Sequence, residues 1–298
     1  MTHPTSAPRA APHDAPVRGV LLMCLAVTLF ATMNMFVKLL RADYPVSEIV
    51  WGRYTFHLVF ALIIIGPRLP ALLRTANLPI HLLRGVLILG ATTTMFIAIG
   101  FLPLATAIAI NFVSPLLVVA LSTAMLGERV GAGRWAAVVI GFAGVLLIIR
   151  PGFGGGWAVL LPLGTALLYA YYQIITRRIA AREDPRTSLL YLALVGTALA
   201  SVVAPFEWVW PTATGWLMLA AAGMLGGIGH FLVIQAFARA HVNVVSPFVY
   251  MEIVGAMVWG FALFGELPDA WTFAGVGVIV ACGLWIVQSE RRLLAGGG

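Results

Sequence analysis

Charge is what this sequence lacks. Asp, Glu, Lys and Arg make up 10% of its 298 residues and hydrophobic residues 61%, whereas soluble domains carry roughly 25% charged residues. So few charges cannot cover a water-facing surface. Lysine is almost absent, one residue against 17 arginines. Cysteine occurs twice, as Cys24 and Cys282, each inside an apolar run. That excludes a disulfide framework, and no spacing suits a metal site. The sequence has no G-x-x-x-x-G-K-[ST] loop, so this chain does not itself hydrolyse ATP. H-E-x-x-H, G-x-S-x-G and paired intramembrane Asp are missing as well, which speaks against an enzyme. No ring of like charges or ion filter marks a channel. No cofactor is called for.

What is present is apolar length. Gly85–Gly127 runs 43 residues without a charge or a His, broken by Pro103. One crossing of a bilayer needs about 20 apolar residues. Ten spans follow, at roughly 19–40, 47–65, 81–101, 104–126, 133–150, 157–177, 187–206, 214–238, 242–264 and 270–288. Pro45, Pro67, Pro103, Pro151, Pro185, Pro211 and Pro268 punctuate them, where a missing N–H costs least. The fold class is therefore an all-α membrane protein. Residues 1–17, rich in Pro, Ala and Thr, read as a disordered cytosolic tail, and the run from Gly19 reads as a retained helix rather than a removed signal.

The net charge of +7 does not point to nucleic acid, because most arginines sit in short loops between spans. With the N-terminus inside, fourteen basic residues fall on inner segments: Arg9, Arg18, Arg68, Arg74, Arg84, Arg129, Arg134, Arg177, Arg178, Arg182, Arg186, Arg239, Arg291 and Arg292. Lys38, Arg41 and Arg150 fall outside. This positive-inside bias predicts an inner (plasma) membrane protein with both termini cytoplasmic. Trp157, Trp208, Trp210 and Trp216 near outer ends fit an interfacial aromatic belt.

The chain also repeats itself. Gly127-Glu128 matches Gly265-Glu266 at an offset of 138, and Ala136 and Gly144 match Gly275 and Gly283 at 139. Phe30-Ala31-Thr32-Met33-Asn34 lies over Tyr169-Ala170-Tyr171-Tyr172-Gln173 at 139, and Lys38 over Arg177. Five spans per copy is an odd number, so the second copy enters the membrane inverted. The units are 18–151 and 152–289, with 290–298 a cytosolic tail. Inverted repeats suit alternating access, with a substrate site near the midplane between the copies. Small residues four apart, such as Gly223 and Gly227 or Ala137 and Gly141, suit close helix packing.

At these residues the chain resembles the drug/metabolite transporter superfamily, in particular its ten-helix EamA-type carriers of two five-helix repeats. The resemblance rests on Leu126-Gly127-Glu128-Arg129 with Ala136 and Gly144, and on Phe264-Gly265-Glu266 with Gly275 and Gly283. Ser114-Pro115, the run 30–34 ending in Lys38, and Tyr44–Ile49 with Arg53 add to it. It extends from about residue 18 to 288. The second copy departs from the first, with Glu252-Ile253 in place of Ser114-Pro115, so equal bending of the copies does not follow. The resemblance implies transport of small metabolites or drugs, in a family that includes amino-acid exporters and carriers of riboflavin and S-adenosylmethionine.

Ionisable residues inside a span cost about 2.5–3.5 kcal/mol at a helix centre, so each needs a cavity or a partner. Arg53 and His57 share a face of the second span beside Tyr54; Arg53 either holds a substrate carboxylate or is bonded to helix-end carbonyls or Glu48. Glu252, ten residues into the ninth span, lies about 15 Å deep at 1.5 Å per residue. It either binds a substrate ammonium or a coupling proton, or pairs with an Arg or His. Tyr250 and Trp259 share its span. His230 is placed to bridge to Glu252, or is a hydrogen-bonded core residue. Asn34 and Gln173 occupy matching places in the two copies, where they either line the cavity or hydrogen-bond between helices; at least one of Tyr169, Tyr171 and Tyr172 is expected to look toward the cavity, with Tyr172 taken as the lining residue, and Asn111 adds an amide on the fourth span. Glu128 and Glu266 are expected at the N-terminal ends of the fifth and tenth spans, where a carboxylate complements the helix dipole. The expected function is secondary active export of amino acids or amino-acid-like solutes by a monomer in the lipid bilayer, with Arg53 and Glu252 at opposite ends of a zwitterion. The alternatives are an importer of a flat-ring or cofactor-like solute, of riboflavin or S-adenosylmethionine type, and a passive channel.

Overall fold

The computed structural model describes residues 16–127, 131–150, 156–179 and 183–295. Glu128, Arg129, Arg182, Pro151 and the first fifteen residues lie outside them. The described residues form helices and turns without strands. Ten helical stretches are long and apolar enough to cross a membrane, from Val17–Leu40 to Ala270–Gln288. The chain is a multi-pass membrane protein.

We number the main helices α1 (Pro16–Leu40), α2 (Val46–Ile65), α3 (Leu78–Ile99), α4 (Leu104–Asn111), α5 (Ser114–Leu126), α6 (Ala132–Ile149), α7 (Leu160–Ile179), α8 (Pro185–Val203), α9 (Ala213–Arg239), α10 (Met251–Phe264) and α11 (Ala270–Ala295). Local chemistry sets their ends. Asp184 caps α8 by accepting from Arg186 N–H, with Pro185 at the first position, and Thr212 caps α9 by accepting from Gly215 N–H. Gly127 and Gly265 close α5 and α10 in the left-handed region, at φ 67° and 64°. A side chain is strained there, which is why the duplicated turn begins with glycine.

The packing follows the duplication. At an offset of about 139, α1 corresponds to α7, α2 to α8, α3 to α9, α5 to α10 and α6 to α11. Helix α1 packs on α9, and α7 packs on α3. Helix α2 packs on α9, and α8 on α3. Helix α1 packs on α10, and α7 on α5. The pairs α2–α8 and α6–α11 are their own counterparts. Most contacts thus cross between the copies, as two inverted five-helix repeats require.

The fourth and ninth spans are each two pieces. The fourth breaks at Phe112-Val113, before Pro115, which offers no N–H. The ninth begins as a short helix at Val242–Val245, passes through a 3-10 turn at Ser246–Tyr250 and continues as α10. Ile253 does not straighten it, because Pro247 interrupts the backbone ladder earlier. Phe112 and Tyr250 are equivalent at an offset of 138, and their rings meet with centroids 5.0 Å apart. The two breaks therefore touch on the pseudo-two-fold axis.

Candidate functional site

The expected site residues separate into two groups. The first lies between α1, α7 and α10. Glu252 is in the first turn of α10, not deep in a continuous ninth helix, because the 3-10 turn ends just before it. It is half-buried, and its Oε1 accepts from Asn34 Nδ2 of α1 at 3.3 Å. Trp259 Nε1 donates to Thr32 Oγ1 at 3.0 Å. Tyr169 and Tyr172 of α7 stack at 5.8 Å, and Tyr169 lies within electrostatic reach of Glu252. Gln173 is half-buried beside them, and Asn111, at the end of α4, has its Oδ1 without a hydrogen-bond partner. Tyr250 stands apart in orientation, its ring on Phe112 and its hydroxyl against Gly283 of α11.

The second group lies between α1, α2 and α9. Arg53 is 4% exposed, with its guanidinium over the Tyr54 ring, Cζ 4.7 Å from the centroid. Tyr54 Oη and Thr92 Oγ1 of α3 are hydrogen-bonded at 2.9 Å. The His57 and His230 rings stack at 5.7 Å and 12°, and Phe30 meets His230 edge-on at 5.0 Å. The expected bridge from His230 to Glu252 is not made, because the His230 ring is held between His57 and Phe30. Arg53 does not bond Glu48 either, whose Oε2 accepts from Val209 N–H at 3.0 Å. Gly223, Gly226 and Gly227 bring α9 against this face of α2.

Two polar clusters were not anticipated. At the end of the bundle where α1 finishes, Lys38 is ion-paired with Glu266 and also donates to Leu102 O at 3.0 Å. Glu266 Oε2 accepts from Leu104 N–H at 3.0 Å. Its expected place at the start of the tenth span is taken by Asp269, whose Oδ1 accepts from Thr272 N–H at 2.8 Å. The left-handed turn at Gly265 sends Glu266 back to the start of α4 instead. Lys38 is thus part of a latch joining α1 and the Leu102–Leu104 turn to the second repeat, and not a free flanking charge. Above it, Phe101, Thr106, Ile149, Arg150, Trp157 and Asp269 are among the residues lining an open cavity of ≈ 540 Å³.

At the opposite end Arg84, read from the sequence as a flanking arginine, is inside α3 and 4% exposed. Its Nε donates to Thr176 at 2.9 Å and its Nη1 to Ser188 at 3.0 Å, with Nη1 also 3.3 Å from His81 Nδ1. Its guanidinium stands over the Tyr172 ring at 5.2 Å. Glu183 accepts from Asn77 Nδ2 at 2.6 Å and Thr75 Oγ1 at 2.7 Å, and stands 3.6 Å from His81 Nε2. These bonds, the Asn77 amide first, hold the Glu183 carboxyl below its usual range. The sequence signal was Arg84 itself, a charge three residues inside a marked span.

The model of the EamA-like transporter family matches residues 17–150 and 156–288. A riboflavin transporter of Rhizobium johnstonii is 30% identical over 285 residues, covering 93% of each chain. A pseudopaline exporter, CntI, of Pseudomonas aeruginosa is 31% identical over 268 residues, 89% of this chain and 94% of its own. An S-adenosylmethionine uptake transporter of Rickettsia prowazekii is 24% identical over 280 residues, 94% and 95% of the two chains. One crystal structure superposes with a TM-score of 0.67 at 21% identity, covering 92% of this chain and 98% of that one, a likeness of fold alone.

Proposed function

This chain belongs to the EamA-like transporter family, and from that membership we propose that it moves an amino-acid-like solute across the inner membrane by alternating access. That it is a small-molecule transporter and not an enzyme follows from the family and the relatives. The solute class rests on one observation. Glu252 is a half-buried carboxylate between the repeats, and its hydrogen-bond partner is a neutral amide, Asn34. A carboxylate inside a bilayer without a bonded cation is costly. A solute ammonium would supply the missing charge, and a proton would do so between solutes. The Tyr169–Tyr172 stack offers aromatic faces to the same cation or to a ring.

A second reading, a flat-ring solute, is favoured by that tyrosine stack and by the relatives named for riboflavin and S-adenosylmethionine. For direction we propose export, as in the relatives named pseudopaline exporter; the Rickettsia relatives are named for uptake. Our reading of the working unit is a monomer, supported by the packing of the two repeats on each other within one chain.

Counterflow in proteoliposomes tests this. Vesicles preloaded with amino acids, riboflavin or S-adenosylmethionine are assayed for labelled uptake, with and without a pH gradient. Exchange of amino acids, strongly weakened in Glu252→Gln, is expected. Exchange of riboflavin alone would replace the amino-acid reading with the flat-ring one.

A further inference from the structure

Arg53, His57 and His230 make a patch of nitrogen groups with no acid among the described residues in it. Arg53 is 4% exposed and His57 0%. Arg53 Nε and Nη1, and both ring nitrogens of His57, have no hydrogen-bond partner. Leaving buried donors unmet is expensive, and more so when the group is charged. The carboxylate nearest in sequence, Glu48, is turned to Val209 N–H. The ionisable groups within electrostatic reach of His57 are His230 and Arg53, both basic, and Arg53 itself adds Tyr54. Gly226 of α9 packs against the guanidinium without a side chain of its own: a Cβ there would lie 3.6 Å from Arg53 Cζ and Nη2 and 3.1 Å from Met33 Sδ.

We propose that Arg53, His57 and His230 seat one monoanionic group, a carboxylate or a halide, between α1, α2 and α9. The guanidinium fork matches a carboxylate edge, and a neutral imidazole contributes one N–H donor. The anion has two sources. It is either the carboxylate of the transported solute, which rests on the amino-acid-like reading above, or a free halide from the medium, which does not.

Thermal unfolding of the full-length protein in detergent tests this, at constant ionic strength in sodium methanesulfonate. Sodium chloride, sodium acetate and glycine are titrated in turn. A saturable rise in Tm of several degrees is expected with at least one of them, and its loss in both Arg53→Gln and His230→Gln. A rise with chloride assigns the site to a free halide; a rise with acetate or glycine but not chloride assigns it to a solute carboxylate. His230→Gln guards against a failure of Arg53→Gln to fold, because His230 is only half-buried. No saturable rise with any of the three, or an equal rise in the variants, overturns the site. Counterflow on the same preparations separates the two readings. Exchange of amino acids without any anion effect removes the site and keeps the carrier, whereas an anion effect without exchange keeps the site and removes the amino-acid-like solute.

Discussion

The carboxylate of Glu252 has a neutral amide, Asn34, as its hydrogen-bond partner, and its proposed role has a measurable consequence. Glu252→Gln keeps the shape and removes the charge. A charge-assisted hydrogen bond is worth about 1.5–3 kcal/mol, so the half-saturating concentration of an ammonium-bearing solute is expected to rise roughly 10- to 150-fold. Unchanged counterflow kinetics would refute the assignment. Glu252 and Arg53 were both legible in the sequence, because a charge in an apolar span is conspicuous. Their surroundings were not: Glu252 meets Asn34 across 218 positions of sequence, and no local pattern encodes that contact. Lys38 and Glu266 carry a second prediction. Their side chains are 14% and 24% exposed, so the pair is partly shielded from water. A double-mutant cycle with Lys38→Met and Glu266→Gln is expected to show coupling of about 0.5–3 kcal/mol in unfolding free energy. Strict additivity of the two losses would mean that the latch contributes nothing.

At the scale of elements, the ten spans were legible to within a few residues, since apolar length and proline carry that information. The ninth, like the fourth, differed in kind. Its apolar run from 242 to 264 looks continuous, yet Pro247 turns part of it into a 3-10 segment. Helix–helix contact decides the next prediction. A Cβ on Gly275 of α11 would lie 2.5 Å from Gly144 O of α6, a backbone atom that cannot swing aside, whereas one on Gly277 meets nothing within 4 Å. Gly275→Ala is therefore expected to lower stability by about 1–3 kcal/mol, and Gly277→Ala to leave it unchanged. Equal Tm values for the two would contradict the close α6–α11 packing. The turn before α8 supplies a pH dependence. Asn77, Thr75 and His81 hold the Glu183 carboxyl below its usual range in the folded state. A group so depressed stabilises the fold above the unfolded value, about 4.3 for Glu, and that contribution is lost as pH falls through the folded value. The Tm advantage of wild type over Glu183→Gln is thus expected to be full at about pH 6 and to shrink below about pH 4. An advantage that grows on acidification would show the sign to be wrong.

At the scale of the molecule, the inverted duplication was legible from three agreeing offsets, and the packing of α1 on α9 and α7 on α3 repeats it in space. The orientation in the membrane rests on the arginine distribution, from which Arg84 must now be withdrawn because it is buried inside α3. Thirteen inner basic residues against Arg41, Arg150 and the latched Lys38 keep the bias. With Cys24 and Cys282 replaced, Trp210→Cys, which is 80% exposed in the wild-type residue, is expected to react with an impermeant thiol reagent added outside intact cells. Thr75→Cys is expected to react only after the membrane is opened. The reverse pattern would invert the topology.

Composition, the spacing of prolines and the offset of 139 by themselves determined a ten-span inverted repeat, because each reads from neighbours or from self-similarity along the chain. The tertiary structure alone decided which polar groups meet. Asn34 with Glu252, Lys38 with Glu266, and Arg84 with Thr176 and Ser188 pair residues 92 or more positions apart. In the membrane such pairs form wherever two helix faces bring unsatisfied groups together, and the crossing of whole helices sets those faces.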